Sequence, residues 1–265
     1  MFPILLNIGT FPVHSYGFLI AVGFLLCVWV SKREGQRQGL SGEKIVDLGF
    51  WSLLVGMIGS RILYVITLYP HYLAHPYEIF YVWEGGLVFF GGPLLCIPFF
   101  FWYTKHYQLP RWKIIDIGAT AIPLAHAFGR LGCLSAGCCH GKATGGNWGI
   151  KLYTELVEPG LRGVYVHPTQ IYESVCLMVL FFGLRSMRYR KKFDGEIVCT
   201  YLITYSIIRS IIEVFRGDTV RGFVIQDILS TSQFISILVI AGTLALYFKL
   251  RKNAQLANGV AAYAQ

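Results

Sequence analysis

Residues 196–215 read EIVCTYLITYSIIRSIIEVF, a stretch that is mostly apolar but carries Arg209 and Glu213 near its end. A transmembrane helix needs about 20 predominantly apolar residues, and this stretch has that length. An arginine inside such a helix costs from about 2.5 kcal/mol to well over 10, so Arg209 indicates a function that needs buried positive charge. Glu213 lies four residues further on and shares a helical face with Arg209.

Similar apolar stretches recur along the chain, whose residues are 55% hydrophobic and 14% charged. An ordinary soluble domain has about 25% charged residues, and the mean hydropathy here is +0.54. We therefore predict an all-α, polytopic membrane protein, a single helical-bundle domain over residues 1–265. Its seven transmembrane helices are predicted at about 14–31, 45–68, 87–104, 114–134, 168–187, 196–215 and 225–248.

Lysine and arginine are distributed unevenly between the two sets of loops. One side carries fifteen: Lys32, Arg33, Arg37, Lys44, Lys105, Arg111, Lys113, Arg185, Arg188, Arg190, Lys191, Lys192, Lys249, Arg251 and Lys252. The other carries four: Lys142, Lys151, Arg162 and Arg221. The positive-inside rule then predicts an N-terminus outside and a C-terminus in the cytoplasm. Because the basic residues lie in short loops, the net charge of +9 does not indicate nucleic-acid binding. We also expect no cleavable signal peptide, since no basic segment precedes the first apolar run.

This orientation brings a set of polar residues in or beside the spans to the outer half of the bilayer, whereas Asp47 and Asp116 fall in the inner half and are interpreted as structural. They are Tyr16, Arg61, Arg130, His167, Gln170, Tyr172, Glu173, Arg209, Glu213 and Arg216. The loop 135–166, rich in glycine, is expected to form a small extracytoplasmic cap above them. Repeated arginines at one depth predict an anion site, and lipid phosphate is the obvious anion there. The alternative is that each arginine snorkels to the surface or pairs with a carboxylate to hold helices together.

Several motifs, in order along the chain, resemble the bacterial phosphatidylglycerol–prolipoprotein diacylglyceryl transferase family. They are HSYGF at 14–18, GSRI at 59–62 with Tyr64, WEGG at 83–86 with Gly91 and Gly92, GRLG at 129–132, HPTQIYE at 167–173, RSIIEVFR at 209–216 and STSQ at 230–233. Each motif alone is weak, but the set is specific and spans nearly the whole chain.

The resemblance implies transfer of a diacylglyceryl group from phosphatidylglycerol to the lipobox cysteine of a preprolipoprotein, with release of glycerol phosphate. It implies a bacterial inner-membrane enzyme with its site toward the outer leaflet. Arg130 and Arg209 match the essential arginines, and Tyr16 matches the important tyrosine of the first helix. Arg61, Glu213 and Arg216 match supporting positions. No metal, nucleotide or other cofactor is expected, because the lipid brings its own leaving group. The acyl-chain preference and the oligomeric state do not follow from the sequence.

The chain departs from the family at Phe90, where many members carry a histidine proposed as a base. The nucleophile of the reaction must be a thiolate, so the substrate thiol has to lose its proton. His167 is the nearest imidazole by predicted depth and is a candidate catalytic base. Alternatively, nearby arginines lower the pKa of the substrate thiol, and this is the route that we favour.

A second departure follows Gly132, where the family usually has asparagines and a glutamate. Here the chain has Cys133, Ser135, Cys138, Cys139 and His140, which resembles a cysteine-bearing branch of the family. Three cysteines and a histidine are potential zinc ligands, although adjacent cysteines rarely bind one ion well. A disulfide is a second possibility in an oxidising compartment. Packing of small side chains at a turn is the default interpretation.

Two other classes of function stay open at this point. One is a diverged lipid-binding paralogue that keeps the headgroup site with an altered acceptor, which Phe90 and the cysteines would suit. The other is a small anion transporter. The basic residues that are predicted within the spans all lie in the outer half, which argues against a path through the membrane.

Overall fold

The computed structural model describes residues 4–8, 11–81, 85–216, 223–225 and 229–263. Eight α-helices lie in these ranges: α1 Ser15–Arg37, α2 Gly42–Thr67, α3 Tyr69–Ala74, α4 Gly91–His106, α5 Arg111–Ala136, α6 Thr169–Met187, α7 Glu196–Phe215 and α8 Thr231–Tyr263. Trp83 and Glu84 of the WEGG motif, and Arg221, lie outside the described residues.

Five of these helices, α1, α2, α5, α7 and the Thr231–Leu256 part of α8, are long and apolar enough to cross a membrane. The prediction of a helical, polytopic membrane protein is therefore confirmed. The third and fifth predicted spans correspond to α4, with 16 residues, and α6, with 19. Crossing by these two helices stays a prediction.

Short antiparallel strand pairs lie before α1, between α5 and α6 and between α7 and α8, and the apolar pattern did not predict them. They are β1 Ile4–Ile8 with β2 Phe11–His14, β3 Ile150–Lys151 with β4 Tyr165–Val166, and β5 Phe223–Ile225 with β6 Leu229–Ser230. β2 leads directly into α1, and β6 leads directly into α8. The β3–β4 pair belongs to the predicted cap segment, in which Leu152, Val157 and Val166 form a small core.

The chain divides into two compact units, of which one comprises residues 1–30 and 115–265. In this unit α1, α5 and α6 share a core that includes Val30, Ala121 and Phe181. A second core joins α5, α6 and α7 through residues such as Ala119, Leu180 and Ile197. Gly23 of α1 lies so close to α5 that a Cβ there would be 2.8 Å from Cβ of Phe128. The close packing places polar side chains of α5, α6 and α7 within bonding distance of one another.

The start of α7 is fixed by a carboxylate from α5. Asp116 is fully buried and accepts hydrogen bonds from the backbone N–H groups of Gly195, at 2.8 Å, and Val198, at 3.0 Å. Lys191 donates to the same carboxylate at 3.2 Å. The N-terminal N–H groups of a helix have no partner within the helix, and Asp116 supplies one.

The second unit comprises residues 31–114 and is built on the contact of α2 with α4. A Cβ added to Gly59 would lie 2.3 Å from the Gly91 carbonyl oxygen, and one added to Gly91 would lie 2.1 Å from that of Gly59. Glycines allow this backbone approach, which is common between membrane helices. Tyr103 of α4 also donates its hydroxyl to the Lys44 carbonyl at 2.9 Å.

Candidate active site

Glu173 is the buried centre of the polar cluster in the first unit. Its side chain, on α6, is only 1% exposed. Its Oε1 accepts a hydrogen bond from Nη2 of Arg130 at 2.9 Å and one from the Tyr205 hydroxyl at 3.3 Å. Nε2 of His126 lies 3.6 Å from the same oxygen. A buried carboxylate requires such partners, and here they come from α5 and α7.

Arg209 lies one helical turn beyond Tyr205 on α7. Its Nη1 forms an ion pair with Oε2 of Glu213 at 2.6 Å. Its Nη2 donates to the Ser232 hydroxyl of α8 at 3.2 Å. Residues four apart on a helix are neighbours, so Tyr205 links Arg209 to the Glu173 cluster. The structure thus brings the two predicted essential arginines into one polar region.

Arg130 has a donor that the protein leaves unused. Its side chain is 13% exposed, and its buried Nε has no hydrogen-bond partner among the described residues. An unpartnered buried donor costs about 1–3 kcal/mol, so this N–H is available to a ligand or a water molecule. A phosphate oxygen suits the planar guanidinium fork.

Tyr16 lies close to the turn of α5 that follows Arg130. A Cβ added to Gly132 would lie 3.1 Å from Cδ2 of Tyr16 and 3.3 Å from its carbonyl oxygen. The tyrosine is 44% exposed. Tyr16, which the resemblance assigned to the site, therefore packs against Gly132, two residues after Arg130 on α5.

His167 immediately precedes α6 and lies among aromatic rings. Its Nδ1 is 3.4 Å from the Tyr172 hydroxyl. Its ring centroid is 4.8 Å from that of Trp148 and 5.3 Å from that of Phe215. Its backbone is also paired, since Gly141 N–H donates to its carbonyl at 2.9 Å. These contacts hold the His167 ring and backbone in place. Its role as a catalytic base stays a prediction.

Gln170 anchors the cysteine turn from α6. It is 1% exposed, and its Nε2 donates to the Cys138 carbonyl at 2.7 Å. The hydroxyl of the neighbouring Thr169 donates to the Cys139 carbonyl at 2.9 Å. A residue that was predicted to bind the substrate is thus in contact with the cysteine turn.

The sulfur atoms of Cys133, Cys138 and Cys139 lie within 4.8 Å of one another, and all three thiols are free. Hydrogen bonds with Cys133 and Cys138, together with the Arg216 guanidinium, lower the pKa of the Cys139 thiol far below its usual range. Hydrogen bonds with Cys133 and Cys139 raise the pKa of the Cys138 thiol. Arg216 therefore lies within hydrogen-bonding reach of the Cys139 thiol. His140 is turned to the adjacent backbone, with Nδ1 3.0 Å from the Gly141 carbonyl oxygen.

Arg61 belongs to the second unit and contacts backbone carbonyls there. Its Nε donates to Ile79 at 2.9 Å, its Nη1 to Gly85 at 2.9 Å and its Nη2 to Glu78 at 2.6 Å. The guanidinium thereby organises the segment that leads to α4. A cavity of about 540 Å³ beside it is lined by apolar side chains of α2 and of the following segment. Phe90, at the start of α4, is 70% exposed.

His126 and Tyr205 are members of the cluster that sequence reasoning missed. His126 lies four residues before Arg130, and Tyr205 lies four residues before Arg209. Each therefore faces the same side of its helix as the arginine. Helical spacing from the two arginines was the signal that could have identified both.

Comparisons with known proteins identify the family of this chain. Residues 3–249 match the family model described as prolipoprotein diacylglyceryl transferase. Among the similar curated proteins are those of Enterococcus faecalis, 32% identical over 92% of this chain and 89% of the relative, and Oceanobacillus iheyensis, 32% identical over 94% and 88%. A second such protein of Clostridium perfringens is 33% identical over 89% of this chain and 90% of its own length. All three are named phosphatidylglycerol–prolipoprotein diacylglyceryl transferase. The chain belongs to the prolipoprotein diacylglyceryl transferase family.

Proposed function

We propose that the protein transfers the diacylglyceryl group of phosphatidylglycerol to the lipobox cysteine thiol of preprolipoproteins and releases glycerol phosphate. The family match over residues 3–249 carries this proposal. The pairing of Arg130 and Arg209 with carboxylates in one buried cluster supports it. Because the carboxylates hold the guanidinium groups in place, little reorganisation is needed when a phosphate binds.

Arg130 and Arg209 hold the phosphate of the donor lipid in this mechanism. The acceptor thiolate attacks the glyceryl carbon, a C–S bond forms, and the C–O bond to the phosphate breaks. The electron pair of that bond remains on the departing phosphate oxygen. Guanidinium groups stabilise the charge that develops there, a kind of interaction whose loss costs about 10²–10³ in kcat.

The remaining predicted residues support the substrate or the arginines. Tyr16, Gln170 and Tyr172 are proposed to contact the lipid or the acceptor, and Glu173 and Glu213 to orient the guanidinium groups. Arg216 adds positive charge beside Cys139. Arg61 remains a proposed substrate-binding residue, and its carbonyl contacts support a positioning task within its own unit.

Deprotonation of the acceptor thiol follows from positive charge near the site. Cationic groups favour the thiolate and lower the pKa of a nearby thiol. His167 is the alternative route, as a general base. Phe90 stands where the resemblance leads us to expect a histidine, so the proposed mechanism uses no imidazole at this position.

We place this reaction in a bacterial inner membrane, at the outer leaflet. The proposed topology has seven crossings, an N-terminus outside and a C-terminus in the cytoplasm, with 135–166 as an extracytoplasmic cap of a single-domain bundle. The fifteen-to-four distribution of basic residues supports this orientation.

The test is incubation of the purified protein with phosphatidylglycerol and a lipobox peptide, followed by mass measurement of the peptide. We expect the peptide to gain one diacylglyceryl group and glycerol phosphate to appear. The same peptide with serine in place of cysteine is the control. Binding of the lipid without a mass change would favour the diverged paralogue, and anion flux across sealed vesicles would favour a transporter.

A further inference from the structure

Three sulfur atoms from one turn converge at the end of α5. Those of Cys133, Cys138 and Cys139 all lie within 4.8 Å of one another. Thiolates bound to one tetrahedral zinc ion at about 2.3 Å are roughly 3.8 Å apart. The free thiols thus need only a small contraction to bind one ion.

The backbone at Cys139 explains how two adjacent cysteines can face the same point. Cys139 has a φ of 61°, in the left-handed region that residues with a side chain seldom adopt. In an extended chain, successive side chains point in opposite directions, whereas this turn brings both sulfurs toward Cys133. A non-glycine residue in this conformation costs roughly 1–3 kcal/mol, and such strain is concentrated at functional sites.

Neighbouring groups hold the turn in this shape. Gln170 and Thr169 of α6 donate to the carbonyls of Cys138 and Cys139. The Cys138 N–H donates to the Cys133 carbonyl at 3.1 Å. Contacts of this kind fix the orientation of metal ligands in established sites.

We propose that Cys133, Cys138 and Cys139 bind one thiophilic d¹⁰ cation, Zn²⁺, through three thiolates, and that the fourth position receives the acceptor thiol. Three thiolates leave a divalent ion with excess negative charge, and Arg216, bonded to Cys139, offsets it. Across the residues that the structure describes, no other His, Cys, Asp or Glu places a ligand atom within the same 4.8 Å. Three protein ligands with an open fourth position are characteristic of catalytic zinc.

The location of the cysteines connects this ion with the transfer reaction, and this step rests on the proposed function. Cys133 lies three residues after Arg130 on α5, so the two side chains are neighbours on the helix surface. A thiol that binds zinc loses its proton to solvent. The metal-bound acceptor thiolate then attacks the glyceryl carbon, and the electron pair of the broken C–O bond leaves with glycerol phosphate. This route supplies a thiolate in a chain that has Phe90 in place of a histidine.

The first test measures metal in the full-length purified protein. The reduced, metal-stripped protein is loaded with Zn²⁺ or Co²⁺, and bound metal is measured after removal of the excess. We expect one ion per chain, with the intense sulfur-to-cobalt absorption of a thiolate site for Co²⁺. Cys133→Ser, Cys138→Ser and Cys139→Ser should each lose most of the metal and of this absorption. Cys176→Ser, at a half-buried cysteine of α6, should retain both.

The second test adds the lipobox peptide to the cobalt-loaded protein. The absorption should change with the cysteine peptide and stay constant with its serine counterpart. Absence of metal uptake by the reduced wild type, or equal uptake by Cys139→Ser, would overturn the metal site even where transfer is normal. An absorption spectrum that does not change when the cysteine peptide is added would overturn the proposal that the acceptor thiol binds at the fourth position of the metal. Metal uptake without any transfer would leave the zinc site standing and refute the proposed function instead.

Discussion

Arg130 and Arg209 are each held by a carboxylate, and this pairing explains how a membrane helix retains them. Unpaired buried charges are costly, whereas a paired arginine keeps some of its donors for a ligand. Lysine would keep the charge but lose the planar fork. We expect Arg130→Lys and Arg209→Lys each to lower the transfer rate by about 10²–10³ while the protein still inserts. Peptide mass measurement gives the rate, and membrane content gives the amount.

Arg61→Lys is the comparison for these two variants. Its guanidinium donates to backbone carbonyls in the other unit, so we expect a milder loss of transfer together with less stable protein. Near-normal turnover in Arg130→Lys or Arg209→Lys would instead mean that the position concerned is structural.

His167→Gln separates a histidine base from thiol activation by positive charge, whether that charge comes from the arginines or from the proposed zinc ion. If positive charge produces the thiolate, the variant should lower the transfer rate only slightly at any pH. If His167 is the base, transfer should fall by about 10²–10⁴ and recover partly in alkali. Recovery is expected because a free thiol, with a pKa of about 8.5, ionises unaided as the pH rises. We expect the small loss; a large loss that alkali does not relieve would indicate that His167 positions α6 or the lipid.

Single residues also show what the sequence could predict of the site. An arginine in an apolar stretch is conspicuous, and for that reason Arg130 and Arg209 could be named. The partner of Arg130 is 43 residues away in the chain, so only folding reveals the contact with Glu173. The cysteine turn was harder, because the objection to adjacent cysteines as ligands disappears only with the left-handed backbone of Cys139.

The contact of α2 with α4 depends on two glycines. A methyl group at Gly59 would lie 2.3 Å from the Gly91 carbonyl oxygen, and the backbone must move to admit it. We expect Gly59→Ala to destabilise the protein by about 1–3 kcal/mol or more. Gly118→Ala is the matched control, because a Cβ there meets nothing within 4 Å. It should be neutral or stabilising by about 0.5–1 kcal/mol. Thermal unfolding in detergent measures both, and equal melting temperatures would contradict the close contact.

The cap on α7 provides a second test on the scale of a helix. Asp116→Asn keeps one acceptor oxygen and replaces the other with an NH2 group, so one of the two backbone N–H groups loses its buried acceptor, and we expect a loss of about 1–3 kcal/mol. Asp194→Asn is the control, because Asp194 also pairs with Lys191, at 2.8 Å, but is 37% exposed and is not bonded to the start of α7 through a buried carboxylate. Equal stabilities of the two variants would argue against the cap.

Lys191 adds a pH dependence to the same cap. Burial acts to lower its pKa, but hydrogen bonds and charge from Asp194 and Asp116 outweigh burial and raise it. A raised lysine pKa contributes stability that is complete at neutral pH and is lost only as the pH rises beyond the ordinary lysine range. The difference between Asp116→Asn and the wild type should therefore be constant around neutral pH.

At the scale of helices, the apolar pattern predicted positions well and ends less well. The third span was expected from residue 87, whereas α4 begins at Gly91. The strand pairs were not predicted because each has only two to five residues, and their pairing joins segments that carry no alternating pattern.

The number of crossings concerns the whole molecule, and α6 is the helix that tests it best. The proposed topology places residues 142–151 outside and residues 188–192 inside, with α6 between them. Three polar residues of α6, namely Gln170, Glu173 and Ser174, lower the hydropathy of this helix, and all three are buried. Polar residues that face a bundle interior are compatible with a membrane-spanning helix.

Reporter fusions at these two loops and at the C-terminus test the topology. Alkaline phosphatase, which is active only outside the cytoplasm, should be active in the loop 142–151 and inactive in 188–192 and at the C-terminus. A fluorescent protein that matures in the cytoplasm should give the opposite pattern. This outcome is expected because five basic residues cluster at 185–192, and such clusters remain inside. If both loops reported the same side, α6 would not cross, and the arginines of α5 and α7 could not both lie in the outer half. That result would remove the physical basis for a phosphate site at the outer leaflet.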